Sequence, residues 1–232
     1  MFFLEGLRLC CDANLTGVKI VQSFVSEATY EKNKTEIDAL FASSKRSYLI
    51  TSQVANKLSL TKSTQGVFCL CEYLPNNASE TLDINAKYIA LENVQDPSNL
   101  GAIARTAEAL GIDGIIMQNC CEHYNPKAQR AAMGSLLRVK LFDVVSLIDT
   151  LELCQNSNMK VFATTPNPEA KLITKLDLSG GVICVIGNEG NGVTQEVFDI
   201  CEKITIPMLG RAESLNAATA ATITMWEMTR NQ

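Results

Sequence analysis

Apolar and polar positions along this chain follow two alternating periods, one near 3.6 residues and one near 2. "FFLEGLRLCCDAN" (2–14) puts Phe3, Leu7, Leu9 and Cys10 near helical spacing and predicts a helix. "VKIVQSFV" (18–25) predicts a strand and "KNKTEIDALFASS" (32–44) an amphipathic helix. A short strand at "SYLIT", a short helix at "SQVANKLS" and an apolar strand at "GVFCLCEY" (66–73) complete a first unit. Such mixed alternation predicts a small α/β sandwich. "LPNNASETLDIN" (74–85) is polar and carries Pro and Asn, so it reads as a linker.

After it the alternation restarts and becomes regular. Strands are predicted at "KYIALEN", "DGIIMQN", "LRVKLFDV", "KVFATT", "GGVICVIGNEG" and "KITIP". Helices are predicted at "NLGAIARTAEALG", "PKAQRAAMGS", "SLIDTLELCQNS" and "VTQEVFDIC", with a last one from about residue 214. Near-continuous apolar strands between helices predict a mostly parallel sheet covered on both faces. The expected domains are 1–75 and 84–232.

Composition narrows the class. Of 232 residues, 47% are hydrophobic and 19% charged, which suits a globular protein. No apolar run reaches the roughly 18 residues of a membrane span, and the start lacks the marks of a signal peptide. A cytoplasmic protein without membrane partners is expected. The nine cysteines form no CxxC pair and have one histidine, His123, for company. Buried thiols in a reducing compartment are expected rather than disulfides or a metal site. The net charge of −5 falls entirely after residue 80. That disfavours a general nucleic-acid binder but leaves room for a local basic patch.

Candidate chemistry lies in three stretches of the second unit. In "NVQDPSNLGAIARTAEALG" (93–111), Asn99 is a candidate cap and Arg105 a polar residue on an otherwise apolar helix. Taken alone, Arg105 reads as a surface arginine. In "VICVIGNEGNGVT" (182–194) an apolar strand runs into Gly187, Asn188, Glu189, Gly190, Asn191 and Gly192. Open parallel sheets bind ligands at such strand ends. Taken alone, this is also a plain turn. It lacks GK[ST], and GxGxxG is absent, which argues against triphosphate and dinucleotide binding and so against an oxidoreductase. In "IPMLGRAESLNAATAAT" (206–222), Arg211, Glu213, Ser214 and Asn216 precede a helix. A helix cap explains Ser214 by itself, but not the whole cluster.

Together, "NLGAIARTA", "GNEGNG" and "IPMLGRAESLN" resemble the three motifs of the SpoU/TrmH family of RNA 2′-O-ribose methyltransferases. "YNPKAQRAAMGSLLRV" (124–139) resembles the family's linking stretch. "FFLEG" and "LITSQVANKLSLTKSTQGVFCL" are similar to its small, ribosomal-protein-like substrate domain, though more loosely. The sequence starts almost on "FFLEG", where relatives usually have a further basic stretch before it, a departure from the family pattern that bears on the expected RNA grip.

The resemblance implies an α/β fold with a deep C-terminal trefoil knot, a homodimer, S-adenosylmethionine as cofactor and no metal. It implies methyl transfer to a ribose 2′-hydroxyl of RNA, with ribosomal RNA as the leading substrate and a guanosine among its candidate nucleotides. Transfer RNA, an antibiotic-resistance role and a catalytically inactive ribosome assembly module are the alternatives. By the same resemblance Arg105 is the catalytic arginine, with Asn99, Glu189, Ser214 and Asn216 shaping the site. Thr164, Gly187, Ile206 and Leu215 would contact the cofactor. Guanidinium stays protonated in proteins, so a phosphate-clamping role for Arg105 is expected over proton abstraction. Lys127, Arg130, Arg138, Lys140 and Arg211 would line an RNA cleft shared by two copies. His123 lies outside the motifs and is not expected to act as a base.

Overall fold

The computed structural model describes residues 1–74 and 81–230, in two sheets. The linker expectation (74–85) lies outside the described residues at 75–80.

The first sheet has the order β1-β4-β2-β3, with β1 (Phe2–Glu5), β2 (Ile20–Ser26), β3 (Arg46–Ile50) and β4 (Val67–Cys71). Only the β2–β3 pair is parallel. Around it lie α1 (Leu7–Leu15), α2 (Glu27–Lys32), α3 (Lys34–Ser43) and α4 (Ser52–Leu58). The helix expected over 2–14 is thus a strand followed by a helix. Gly6 separates them at φ 115, a value that side-chain-bearing residues rarely adopt. The short helix α2 was missed because it buries no residue and so carries no apolar stripe.

The second sheet runs β7-β6-β5-β10-β8-β11-β9, and every pair is parallel. Its strands are β5 (Lys87–Glu92), β6 (Gly114–Gln118), β7 (Leu141–Asp143), β8 (Lys160–Thr164), β9 (Lys171–Leu172), β10 (Val182–Ile186) and β11 (Glu202–Thr205). Strands β5 and β10 are buried throughout, as central strands covered on both faces must be. The helices are α5 (Pro97–Ala109), α6 (Pro126–Ala132), α7 (Leu147–Asn156), α8 (Gln195–Ile200) and α9 (Ala217–Thr229). One apolar cluster, under α5, α6 and α9, includes Ile89, Leu100, Ile103, Leu136 and Met225. The other, under α7 and α8, includes Ala90, Leu151, Val161 and Val197. The strand expected over "LRVKLFDV" is shorter: Ser135–Leu137 form a 3₁₀ turn and β7 starts at Leu141.

The two sheets touch. Leu137 is buried among Phe2, Leu9 and Cys10, and the Tyr124 ring lies 4.4 Å from that of Phe2. Arg138 bridges Asp12 on α1 and Glu108 on α5. Six of the nine cysteines are buried, and burial pushes the Cys71 thiol up to about 12. Among the described residues, no helix is long and apolar enough to cross a membrane.

Candidate active site

A cleft of about 300 Å³ opens where the C-terminal ends of β8, β10 and β11 meet the start of α9. Thr164 and Thr165 follow β8, residues 187–193 follow β10, and Ile206, Met208, Ser214 and Leu215 follow β11. Each wall is built by local chemistry.

The loop after β10 is a tight hairpin. Asn188 N and Gly192 N each donate to the other residue's carbonyl, at 3.0 and 2.9 Å. Asn188 Oδ1 accepts from Gly190 N and Asn191 N at 2.9 and 3.0 Å. A Cβ on Gly187 would overlap the backbone of Gly192 and Val193, so only glycine lets the loop fold back on its own strand. Both ends of the loop are pinned. Asn188 Nδ2 donates to Asn93 O at 2.8 Å. At the other end Glu92, 4% exposed, accepts from Thr194 N and Thr194 Oγ1 at 2.9 and 2.6 Å.

A line of hydrogen bonds joins the three motifs. Glu189 Oε1 accepts from Asn99 Nδ2 at 2.9 Å and from Asp96 N at 3.0 Å, while Oε2 accepts from Gln95 N at 3.2 Å. Asn99 Oδ1 accepts from Asn216 Nδ2 at 3.0 Å. Asn216 Oδ1 accepts from Ala218 N and Thr219 N at 2.9 and 3.2 Å. A carboxylate only accepts, so Asn99 must turn its amide nitrogen to Glu189 and its oxygen to Asn216. Asn216 must then turn its own oxygen to the first turn of α9. Burial works against the charge on Glu189, yet its hydrogen bonds from Asn99, Asp96 and Gln95 hold its pKa below the usual glutamate value.

Two capping expectations change. Asp96, not Asn99, caps α5, accepting from Ser98 N at 2.8 Å. Asn99 lies inside the helix and is 6% exposed. The last helix starts at Ala217 rather than near 214, and its cap is Asn216 rather than Ser214. An asparagine three residues past the cap is free to face inward, which is why Asn99 reaches Glu189.

Of the residues singled out from the sequence, Thr164, Gly187, Glu189, Ile206, Ser214 and Leu215 line the cleft. Asn99 and Asn216 sit behind it, joined to Glu189. Arg105 does not line it. It is exposed on α5 and makes no hydrogen bond or ion pair among the described residues. Among the described residues, no lysine or arginine lines the cleft. The expected RNA cations also diverge. Lys127 pairs with Asp96 at 3.0 Å and Arg138 with Glu108 and Asp12, Arg130 makes no ion pair but helps stabilise the charge on Glu5, and Lys140 and Arg211 have no partner among the described residues. His123 packs on Tyr124 at 4.1 Å in a separate cavity, and burial lowers its pKa. Glu92 was missed, and Asn188 was named within its loop without a role. The available signal for Glu92 was an acidic residue closing the central strand "KYIALE", right after the apolar run 89–91.

The cleft suits a charged-sulfonium nucleoside better than a phosphate. Ile186, Phe198, Ile206 and Leu215 offer apolar walls for a purine, and the glycine loop offers backbone groups. The ionised Glu189 on its wall attracts positive charge and repels phosphate. No group of three or more potential metal ligands occurs among the described residues.

An all-parallel sheet with a glycine hairpin and a cleft at its strand C-termini places a ligand site where open α/β sheets hold one. Residues 86–226 match the SpoU rRNA Methylase family, and the chain belongs to that family. It is 30% identical over 239 aligned residues to an uncharacterised tRNA/rRNA methyltransferase of Synechocystis, covering 99% of this chain and 84% of that protein. It is 27% identical to the 23S rRNA (guanosine(2553)-2′-O)-methyltransferase RlmP of Bacillus subtilis, covering 98% of this chain and 88% of that one. The AdoMet-bound rRNA methyltransferase from Sinorhizobium meliloti superposes with a TM-score of 0.86 at 27% identity, over 99% of this chain and 87% of that one.

Proposed function

We propose that this protein transfers a methyl group from S-adenosylmethionine to a ribose 2′-hydroxyl of ribosomal RNA. The observation that carries the reading is the cleft lined by Glu189 and backed by Asn99 and Asn216, three motif residues held in one hydrogen-bonded line. S-adenosylmethionine supplies an activated methyl group. The 2′-oxygen gains that methyl and loses its proton, so the chain's task is to align the oxygen and accommodate the proton.

In this reading Thr164, Gly187, Ile206 and Leu215 hold the cofactor against backbone, and Ser214, exposed on the loop, reaches the ribose. Arg105 clamps the phosphate beside the target ribose, and the phosphate or a water takes the proton. Because Arg105 lies outside its own chain's cleft, the reading includes a homodimer in which each copy's Arg105 serves the other's cleft. Residues 1–75 grip RNA and 84–232 carry out transfer, in the cytoplasm. The segment 206–216 returns from β11, near one edge, to α9, which packs on α5 and central β10. That crossing supports the deep trefoil knot.

The test is incorporation of labelled methyl into small- and large-subunit ribosomal RNA and transfer RNA, all lacking ribose methylation. Ribosomal RNA labelled by wild type and not by Arg105→Ala is expected. Labelling of transfer RNA alone would move the substrate, and RNA binding without labelling would make the protein an inactive binding module.

A further inference from the structure

Between the two sheets lies a second cleft of about 280 Å³, distinct from the cofactor cleft. One wall is α1 with Arg8 and Asp12, another the loop with Thr61 and Ser63, and the third the end of α6 with Arg130. Its lining carries two acids, Glu5 and Asp12, and two arginines, Arg8 and Arg130. Glu5 is buried, and its oxygens accept from Ser59 Oγ at 2.6 Å, Thr61 Oγ1 at 2.9 Å and Leu60 N at 3.0 Å. Asp12 faces Arg138 at 3.7 Å. Arg8 and Arg130 have no acceptor among the described residues, and Arg130 Nη1 is buried without one. Arg130 helps to stabilise the charge on Glu5, but the hydrogen bonds to Glu5 come from Ser59, Leu60 and Thr61, so both guanidinium groups keep unused donors.

We propose that this cleft seats a backbone phosphodiester of the RNA substrate between Arg8 and Arg130. The inference rests on the RNA-methylation reading and adds where the strand is held. A phosphodiester is singly negative and only accepts hydrogen bonds, which matches what two guanidinium groups lack here. Arg8 and Ser63 stand at the exposed rim and Arg130 on the inner wall, so a strand enters from outside and meets both. The site also has a fixed offset from Arg105. Gly101 on α5 packs so closely on Ala128 and Ala131 that any side chain there would collide with α6. Helices α5 and α6, bearing Arg105 and Arg130, therefore hold as one body. RNA gripped at Arg130 has its ribose placed relative to Arg105.

The experiment uses the full chain, with wild type, Arg8→Gln, Arg130→Gln and Ser63→Glu. Binding to unmethylated large-subunit ribosomal RNA is measured across a salt series, with S-adenosylmethionine affinity measured beside it. Each arginine variant is expected to bind RNA about tenfold more weakly, with the log–log salt slope falling by about 0.7–0.9 per lost contact. Ser63→Glu leaves both arginines in place and is expected to weaken binding by charge repulsion, which separates the site from any folding defect in the arginine variants. Unchanged slopes in both arginine variants, with methyl transfer intact in wild type, overturn this site alone. Wild type that binds no RNA overturns the site and the function together. Inorganic phosphate binding to wild type but not Arg130→Gln, with RNA slopes unchanged, would assign the cleft to free phosphate and overturn the proposal.

Discussion

Asn99 donates to Glu189 at 2.9 Å while accepting from Asn216 at 3.0 Å, so a single buried amide joins segments about ninety and more than a hundred residues away. Aspartate at this position keeps the shape and reverses the chemistry, setting two carboxylates against each other. Asn99→Asp is expected to lower the melting temperature by several degrees, since an unmet buried partner costs about 1–3 kcal/mol. It should also weaken S-adenosylmethionine binding at least tenfold by titration calorimetry. A variant that melts and binds like wild type would show that the line does not hold the cleft.

Arg105 is exposed and without a partner among the described residues, so Arg105→Ala should fold normally and lose methyl transfer. Arg105→Lys should not restore it, because a point charge does not replace a planar fork. Mixing Arg105→Ala with a cofactor-site variant tests the dimer. Random pairing makes half the dimers mixed, each with one complete site, and should recover roughly a quarter of wild-type activity. Recovery near zero would place Arg105 in its own chain's site.

Glu189 gives an acid-side signature. Its folded pKa is lowered, so on acidification the unfolded chain takes the proton first. The contribution of this charge is whole above about pH 4.3, the ordinary glutamate value, and is lost as pH falls through the folded value. Melting curves of wild type and Glu189→Gln should therefore differ near neutrality and converge in acid. A constant gap across that range would mean that charge is not what Glu189 contributes.

Gly187→Ala puts a methyl group where Gly192 and Val193 already stand. The hairpin must open, and cofactor affinity is expected to fall by more than tenfold. The sheet should persist, because β10 ends one residue earlier, and far-ultraviolet circular dichroism should show little change. Normal binding would mean that the hairpin does not shape the cleft.

The alternation of apolar strands and helices made the second sheet legible, since buried parallel strands advertise themselves as apolar runs. The first strand was not legible, because "FFLE" satisfies both periods and only the φ of Gly6 separates it from α1. Strand β9 has two residues, too few for any period. In the site, residue types were readable but partners were not. Asn99 and Ser214 looked like caps, whereas Asn99 is a buried junction and the cap is Asn216, which also reaches it. Arg105, by resemblance the catalytic arginine, lies outside the cleft that Glu189 lines. Spacing along a helix gives a face, not what that face meets.

The line through Asn99, Glu189 and Asn216 has a consequence for how such a chain varies over generations. Each of these side chains is oriented by the next, so a change at one alters what is tolerated at the other two. Drift through this site is therefore expected to move in correlated sets, with single replacements purged and compensated triples surviving. Three short stretches scattered along the gene would then be inherited as though they were one.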